Sequence, residues 1–226
     1  MNLSLELSDV TKCFGEKVVY DGLHYTFGKG CYAVYGQNGI GKSVLLEMIA
    51  GVTRQEKGFI RLNSALLSGT LSYKMRMAYV PSVPAFFPMI DGNEYLSFIQ
   101  SLKGASVNLQ QHICGYQLNN HLASKFGQMS LGTQKKLFLT TLAIGNNSLI
   151  VLDEPTNGLD DESIRFLMGQ IKELSQNAIV LIATHDSAFM SVINHTAIQL
   201  DKAPIAKFSV IDIKAKQTSL NDEVTS

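Results

Sequence analysis

Residues 36–43 read Gly36-Gln37-Asn38-Gly39-Ile40-Gly41-Lys42-Ser43, the spacing G-x-x-x-x-G-K-[ST]. That spacing suits a phosphate. The three glycines let the backbone wrap closely enough for its N–H groups to meet phosphate oxygens. A helix opening at Lys42 would add its positive end. The Lys42 ammonium is placed to reach β and γ phosphates, and the Ser43 hydroxyl to ligate Mg2+. The ordinary alternative is a glycine-rich turn with a lysine there by chance. The flanks argue against it: "CYAVYG" at 31–36 reads as a strand, and "KSVLLEMIAG" at 42–51 as a helix closed by Gly51.

Chemistry on a phosphate also needs a carboxylate for the metal and a base for water. "SLIVLDEP" at 148–155 ends an apolar run in two adjacent carboxylates. Asp153 is the candidate to hold Mg2+ through water. Glu154 must point the other way along a strand, so it is the candidate general base. His185 follows a second apolar run, "AIVLIAT" at 178–184. Alone it reads as a satisfied polar group at a strand end. One strand away from Glu154, it reads as a γ-phosphate contact.

These groups need a scaffold that brings them to one place. Short apolar strands alternate with helical patterns along the chain, the mark of an α/β core with parallel strands. Asp160 or Asp161 can cap a helix patterned on Ile164, Leu167, Met168 and Ile171. From Pro81 to about Asn146 the character changes. Prolines and aromatics come first, then helical patterns, with Asn93 as a candidate cap before "EYLSFIQSL". This segment reads as a mostly helical lobe inserted into the core. "MSLGTQKK" at 129–136 precedes an apolar helix, and its lysines read as solvated first-turn charges. The last residues, "SLNDEVTS", read as a frayed tail.

Composition narrows the class further. The 226 residues suffice for one sizeable core with a satellite lobe. Lys+Arg equals Asp+Glu at 19 each, so no overall field draws the chain to nucleic acid, and no nucleic-acid partner is expected. No apolar run approaches the ~20 residues that cross a bilayer. Residues 1–10 lack the pattern of a secretion signal. Cys13, Cys31 and Cys114 are scattered, which fits a reducing compartment rather than a disulfide frame. His112 and Cys114 lie two apart without a second ligand pair, so structural roles are expected for both.

Taken in order, these motifs resemble the ATP-binding cassette (ABC) ATPase family, over about residues 3–200. "GQNGIGKS" looks like its Walker A loop and "LIVLDEP" like its Walker B strand with the catalytic glutamate. "TNGLD" at 156–160 looks like its D-loop, with Asp160 as the D-loop aspartate, and "ATHD" at 183–186 like its switch histidine. "VTKCFG" at 10–15 looks like the strand whose aromatic stacks on adenine, which would give Phe14 that role. The implied fold is an α/β P-loop NTPase core with an antiparallel β subdomain and an inserted helical subdomain. Residues 1–81 and 147–205 would form the nucleotide-binding core, 82–146 the helical subdomain, and 206–226 a short C-terminal tail.

The resemblance also gives "MSLGTQ" a partner. It sits where the family carries its LSGGQ signature, which faces the nucleotide of a second subunit. Ser130, Gly132 and Thr133 would then contact ATP held by that subunit. Leu131 stands where the family has its first glycine, and Thr133 where it has glutamine. A second departure is Ser82 in "YVPSVP", at the place of the Q-loop glutamine that contacts Mg2+. Serine is too short for the same direct reach, so coupling to the lobe would rest on "PSVPAFFPMI". Its Phe86, Phe87 and Met89 are candidates to receive a partner helix.

The function these features imply is an ATP-binding and ATP-hydrolysing transporter subunit. It would dimerise around two ATP with Mg2+ and drive separate transmembrane permease chains, of exporter type. It would sit on the cytoplasmic face of the membrane through that permease. The alternatives are a soluble assembly ATPase of the iron–sulfur type, or a nucleotide-gated module without turnover.

Overall fold

The computed structural model describes residues 3–201 and 207–211. The chain opens with β1 (Ser4–Phe14) and β2 (Lys17–Gly28), then β3 (Gly30–Tyr35) and helix α1 (Lys42–Ala50). Next come β4 (Lys57–Leu62), β5 (Leu66–Leu67), the short α2 (Leu71–Lys74) and β6 (Met77–Val80). The lobe follows with α3 (Gly92–Lys103), α4 (Gln110–Gly115) and α5 (Leu131–Thr140). The chain then returns through β7 (Leu149–Asp153), α6 (Asp161–Leu174), β8 (Ile179–Ala183), α7 (Ser187–Val192), β9 (Thr196–Asp201) and β10 (Lys207–Ile211).

Two sheets form. An antiparallel one has the order β2-β1-β4-β5, and a six-stranded one has the order β10-β9-β3-β8-β7-β6. In the larger sheet β9, β3, β8, β7 and β6 run parallel, and β10 adds an antiparallel edge. That edge strand lies within the stretch read as a short tail, so the tail's first part belongs to the sheet. The "SLNDEVTS" segment lies outside the described residues.

Strand alternation divides the core in two. Leu149 and Val151 of β7, with Ile179 and Leu181 of β8, pack with α1 and the antiparallel sheet. Ile150, Leu152, Val180 and Ile182 face the other way, toward α6 and the lobe. Helix α1 thus lies between the sheets, with Leu45, Leu46 and Ile49 fully buried. Each such side chain contributes about 1.5–3 kcal/mol relative to exposure. The same packing fixes where the P-loop ends.

The lobe begins differently from expectation. Helix α3 is capped by Asp91, not Asn93. The Asp91 side chain accepts from Glu94 N at 2.9 Å, and Glu94 returns a bond to Asp91 N at 2.9 Å. This reciprocal capping box contributes about 1 kcal/mol. Asn93 N instead donates to Leu122 O at 3.1 Å. Lys103, at the far end of α3, anchors the lobe to the core by donating to Lys74 O at 3.0 Å, Met77 O at 2.5 Å and Asn147 Oδ1 at 3.0 Å.

Candidate functional site

All the parallel strands point their C-terminal ends to one edge of the sheet, where α/β folds place their ligands. The P-loop follows β3, Asp153 and Glu154 end β7, His185 follows β8 and Ser82 follows β6. A cavity of about 310 Å³ lies there, lined by Asn38, Gly39, Gly41, Lys42, Ser43, Val44, Asp153, Glu154 and His185. A larger cleft of about 670 Å³ opens at the other end of the sheet, beside the first residues of β3 and β9. It contains none of the candidate site residues.

The loop's shape depends on glycine. Gly41 has φ +116°, and a Cβ there would lie 2.7 Å from Val19 Cγ1 and 3.0 Å from the Tyr20 hydroxyl. Tyr20 in turn donates to Gly41 O at 3.0 Å, pinning the loop to β2. No side chain caps the start of α1. Its first N–H groups are therefore directed at whatever the loop surrounds. The Lys42 ammonium folds back on Gly36 O at 2.7 Å and Gln37 O at 3.2 Å. Burial lowers its pKa, and the nearby Glu154 and Asp153 carboxylates oppose that shift. Gly36, Gln37 and Ile40 do not line the cavity; they form the frame of the loop.

Asp153 continues the face of Leu149 and Val151, so it points toward α1 and Ser43. It is 2% exposed. Burial raises its pKa, and the approaching Ser43 and Ser82 hydroxyls counteract this. The Ser82 hydroxyl therefore stands at the Asp153 carboxylate, although it does not line the cavity. Hydroxyl and carboxylate oxygens are hard ligands suited to Mg2+ that arrives with phosphate oxygens. Among the described residues no cluster of three His, Cys, Asp or Glu forms a metal cage by itself. The donor set thus fits a metal shared with a phosphate ligand.

Glu154 leaves the strand in a left-handed conformation, φ +46°. Non-glycine residues hold such a conformation only where neighbours over-determine it. Its N–H donates to Ala183 O at 2.7 Å. The turn brings its carboxylate to His185: Nε2 lies 3.5 Å from Oε1, and the His185 N–H donates to Oε2 at 3.3 Å. A carboxylate and an imidazole are thus paired in the lining of the cavity.

Other candidates lie elsewhere. Phe14 ends β1 with its ring 52% exposed and the Lys12 ammonium 4.8 Å from its centroid. It is outside the cavity and outside both cores. Phe14→Ala should therefore leave stability nearly unchanged, and should weaken ATP binding by roughly 1–3 kcal/mol if the ring stacks on adenine. A titration of Mg-ATP binding alongside urea unfolding checks both parts.

Ser130 caps α5, accepting from Thr133 N at 3.1 Å, and shares a bond with Thr133 Oγ1 at 2.9 Å. Gly132 backs onto the turn at Gly158 of the same chain, where a Cβ would sit 2.2 Å from Gly158 O. Asp160 caps α6 by accepting from Ser163 N at 2.9 Å, and pairs with the Lys136 ammonium. That pairing holds its pKa well below the usual carboxylate range. Ser130, Gly132 and Thr133 do not reach the cavity of their own chain.

Two expectations are overturned. The lysines of "MSLGTQKK" are not solvated: Lys136 is in the Asp160 pair, and Lys135 is 1% exposed. The ammonium of Lys135 donates to Pro81 O at 2.8 Å, Ser82 O at 2.7 Å and Glu154 O at 3.2 Å. Helical phase carried the signal, because Lys135, Leu139 and Leu142 recur at i, i+4 and i+7. Phe86 is not outward-facing either. It packs edge-on against Tyr95 at 4.7 Å, while Phe87 and Met89 are 68% and 66% exposed.

A family model described as "ABC transporter" matches residues 20–157. A relative from Burkholderia lata, "Nod factor export ATP-binding protein I", is 30% identical over 189 residues, 80% of this chain and 62% of that protein. The chain thus spans less than two thirds of that relative's length. "Cytochrome c biogenesis ATP-binding export protein CcmA" from Reclinomonas americana is 29% identical over 196 residues, 82% of this chain and 88% of that protein. Among solved structures, a dimeric post-hydrolysis state of an ATP-binding cassette bound to ADP and Pi superposes with TM-score 0.78 at 19% identity, over 93% of this chain and 99% of that one.

Proposed function

The chain belongs to the ABC transporter family, and on that premise we propose that it is the export-type subunit that turns ATP hydrolysis into movement of a separate permease. It is an ATPase that uses ATP with Mg2+. The observation that carries the reading is the convergence of Lys42, Ser43, Asp153, Glu154 and His185 on one cavity.

The chemistry follows from their placement. The P-loop amides and Lys42 bind and orient the phosphates. A Mg2+ held by Ser43 and Asp153 would neutralise charge on the β and γ oxygens. Glu154 takes a proton from the attacking water, and His185 steadies both Glu154 and the terminal phosphate. Ser130, Gly132 and Thr133 stand apart from this cavity, which supports their use on the nucleotide of a second cassette. Two ATP would then be enclosed between two subunits, and turnover would reopen the pair.

No helix among the described residues is long and apolar enough to cross a membrane. On the proposed reading, a separate permease chain supplies the path for a substrate. The exposed Val83, Phe87 and Met89 offer the surface for it. Both relatives described above are named for export, which supports that direction. The chain acts at the cytoplasmic face of the membrane, held there by its permease.

Purification from native membranes tests the reading. The chain should be recovered with a polytopic membrane protein. Phe87→Asp with Met89→Asp should cut that recovery roughly tenfold or more, as expected for truncated anchors of an interface. ATP binding by the isolated chain should be unchanged. Recovery from the soluble fraction with assembly-scaffold proteins would contradict it.

A further inference from the structure

Lys135 lies on α5 and does not line the cavity. It is nonetheless the most buried charged side chain among the described residues, at 1% exposed. A buried ammonium is costly unless its protons are met. Here they are met by backbone carbonyls: Pro81 O, Ser82 O and Glu154 O, with Asp153 O further away at 3.5 Å. Two of these acceptors lie in the loop after β6 and two at the end of β7. One side chain thus joins the helix that begins at Ser130 to both loops flanking the γ-phosphate position.

The bond to Glu154 has a particular consequence. Glu154 holds φ +46°, and that conformation aims its carboxylate at His185. Its N–H is fixed by Ala183 O, and its carbonyl accepts from both Lys135 at 3.2 Å and the Asn157 N–H at 3.3 Å. Both ends of the residue are therefore tied, which is what an unfavourable conformation needs in order to persist. A leucine or methionine would fill the same space on α5 at no electrostatic cost. It would leave the Ser82 carbonyl without the Lys135 donor and the Glu154 carbonyl with the Asn157 N–H alone, at 3.3 Å.

We propose that Lys135 is a positioning residue for ATP hydrolysis, fixing the backbones of Glu154 and Ser82 from the helix that carries Ser130. The proposal rests on the ATPase reading above. It also makes α5 a physical link. A contact made at Ser130 by a partner's nucleotide is transmitted through Lys135 to the base of this chain's own site.

The test is a double-mutant cycle on purified protein, with hydrolysis and Mg-ATP affinity measured separately. Lys135→Met should lower kcat by about 10–100-fold, the range for residues that orient the groups contacting substrate or metal. Affinity for Mg-ATP should change by no more than about threefold. Lys135→Gln keeps an N–H donor one atom nearer the backbone and should recover part of the loss. In a Glu154→Gln background, Lys135→Met should cost little more, because the group it positions is already disabled. The proposal is overturned by full kcat in Lys135→Met, by multiplying losses in the double variant, or by equal loss of affinity and turnover. If Lys135→Met does not fold, the same cycle is run with Lys135→Gln. Failure of both to fold would make Lys135 a stability residue and also overturn the proposal. A wild-type chain without ATPase activity would instead count against the proposed function itself.

Discussion

Glu154→Gln should lower ATP turnover by about 10²–10⁴-fold while leaving Mg-ATP binding nearly intact, the typical loss when a general base is removed. The amide has the size of the carboxylate and cannot accept water's proton. Asp153 shares the strand end but points the other way, toward Ser43, so it cannot substitute. Lys42 would lose one of its two neighbouring carboxylates. The P-loop is held by Tyr20 and by the bonds of Lys42 to Gly36 O and Gln37 O, so it should keep its form. Rapid-quench hydrolysis together with an equilibrium binding titration separates the two effects. Equal loss of binding and turnover would remove Glu154 from the role of base.

Lys42→Ala should have the opposite profile, with binding and turnover both lost. Lys42 lines the cavity, and its ammonium is held by Gly36 O and Gln37 O at the start of α1. Hydrogen bonds to a charged group contribute about 1.5–3 kcal/mol each. Losing one should weaken ATP binding by roughly 10- to 150-fold and bring hydrolysis below detection. The fold should survive, since the loop is also pinned through Tyr20 and α1 is packed by Leu45, Leu46 and Ile49. Binding of labelled ATP with circular dichroism on the same sample checks both points.

The α/β core was legible because local pattern and tertiary environment agree there. "CYAVY", "LIVLD" and "IVLIA" are continuous apolar runs, and each became a central parallel strand. The inserted lobe was legible in the change to prolines, aromatics and helical patterns after Pro81, whereas the antiparallel subdomain followed from the family resemblance alone. What was not legible depends on neighbours distant in the chain. Lys135 looks solvated until the carbonyls of Pro81, Ser82 and Glu154 are brought around it. Ser82 looks too short for its place until β6 and β7 pair and set its hydroxyl at Asp153. Asp91 displaced Asn93 as the cap because Glu94 closes a reciprocal box with it. Phe86 and Phe87 are adjacent, and packing against Tyr95, Phe98 and Phe126, distant in the chain, decides that Phe86 turns inward. In the site, Phe14 remains apart from the cavity, and so do Ser130, Gly132 and Thr133 at the start of α5.

That last separation leads to the central claim, that a second cassette completes the site. In Glu154→Gln, bound ATP should persist and hold two subunits together. Light scattering of this variant, with the partner cassette present if the pair is mixed, measures it directly. Adding Mg-ATP should double the mass. Ser130→Arg in the same background should abolish the doubling while each subunit still binds ATP. Arginine at Ser130 is the informative change because the position is exposed, whereas any side chain at Gly132 would strike Gly158 of its own chain. A mass that doubles equally in both variants, or that never responds to Mg-ATP, would contradict the claim.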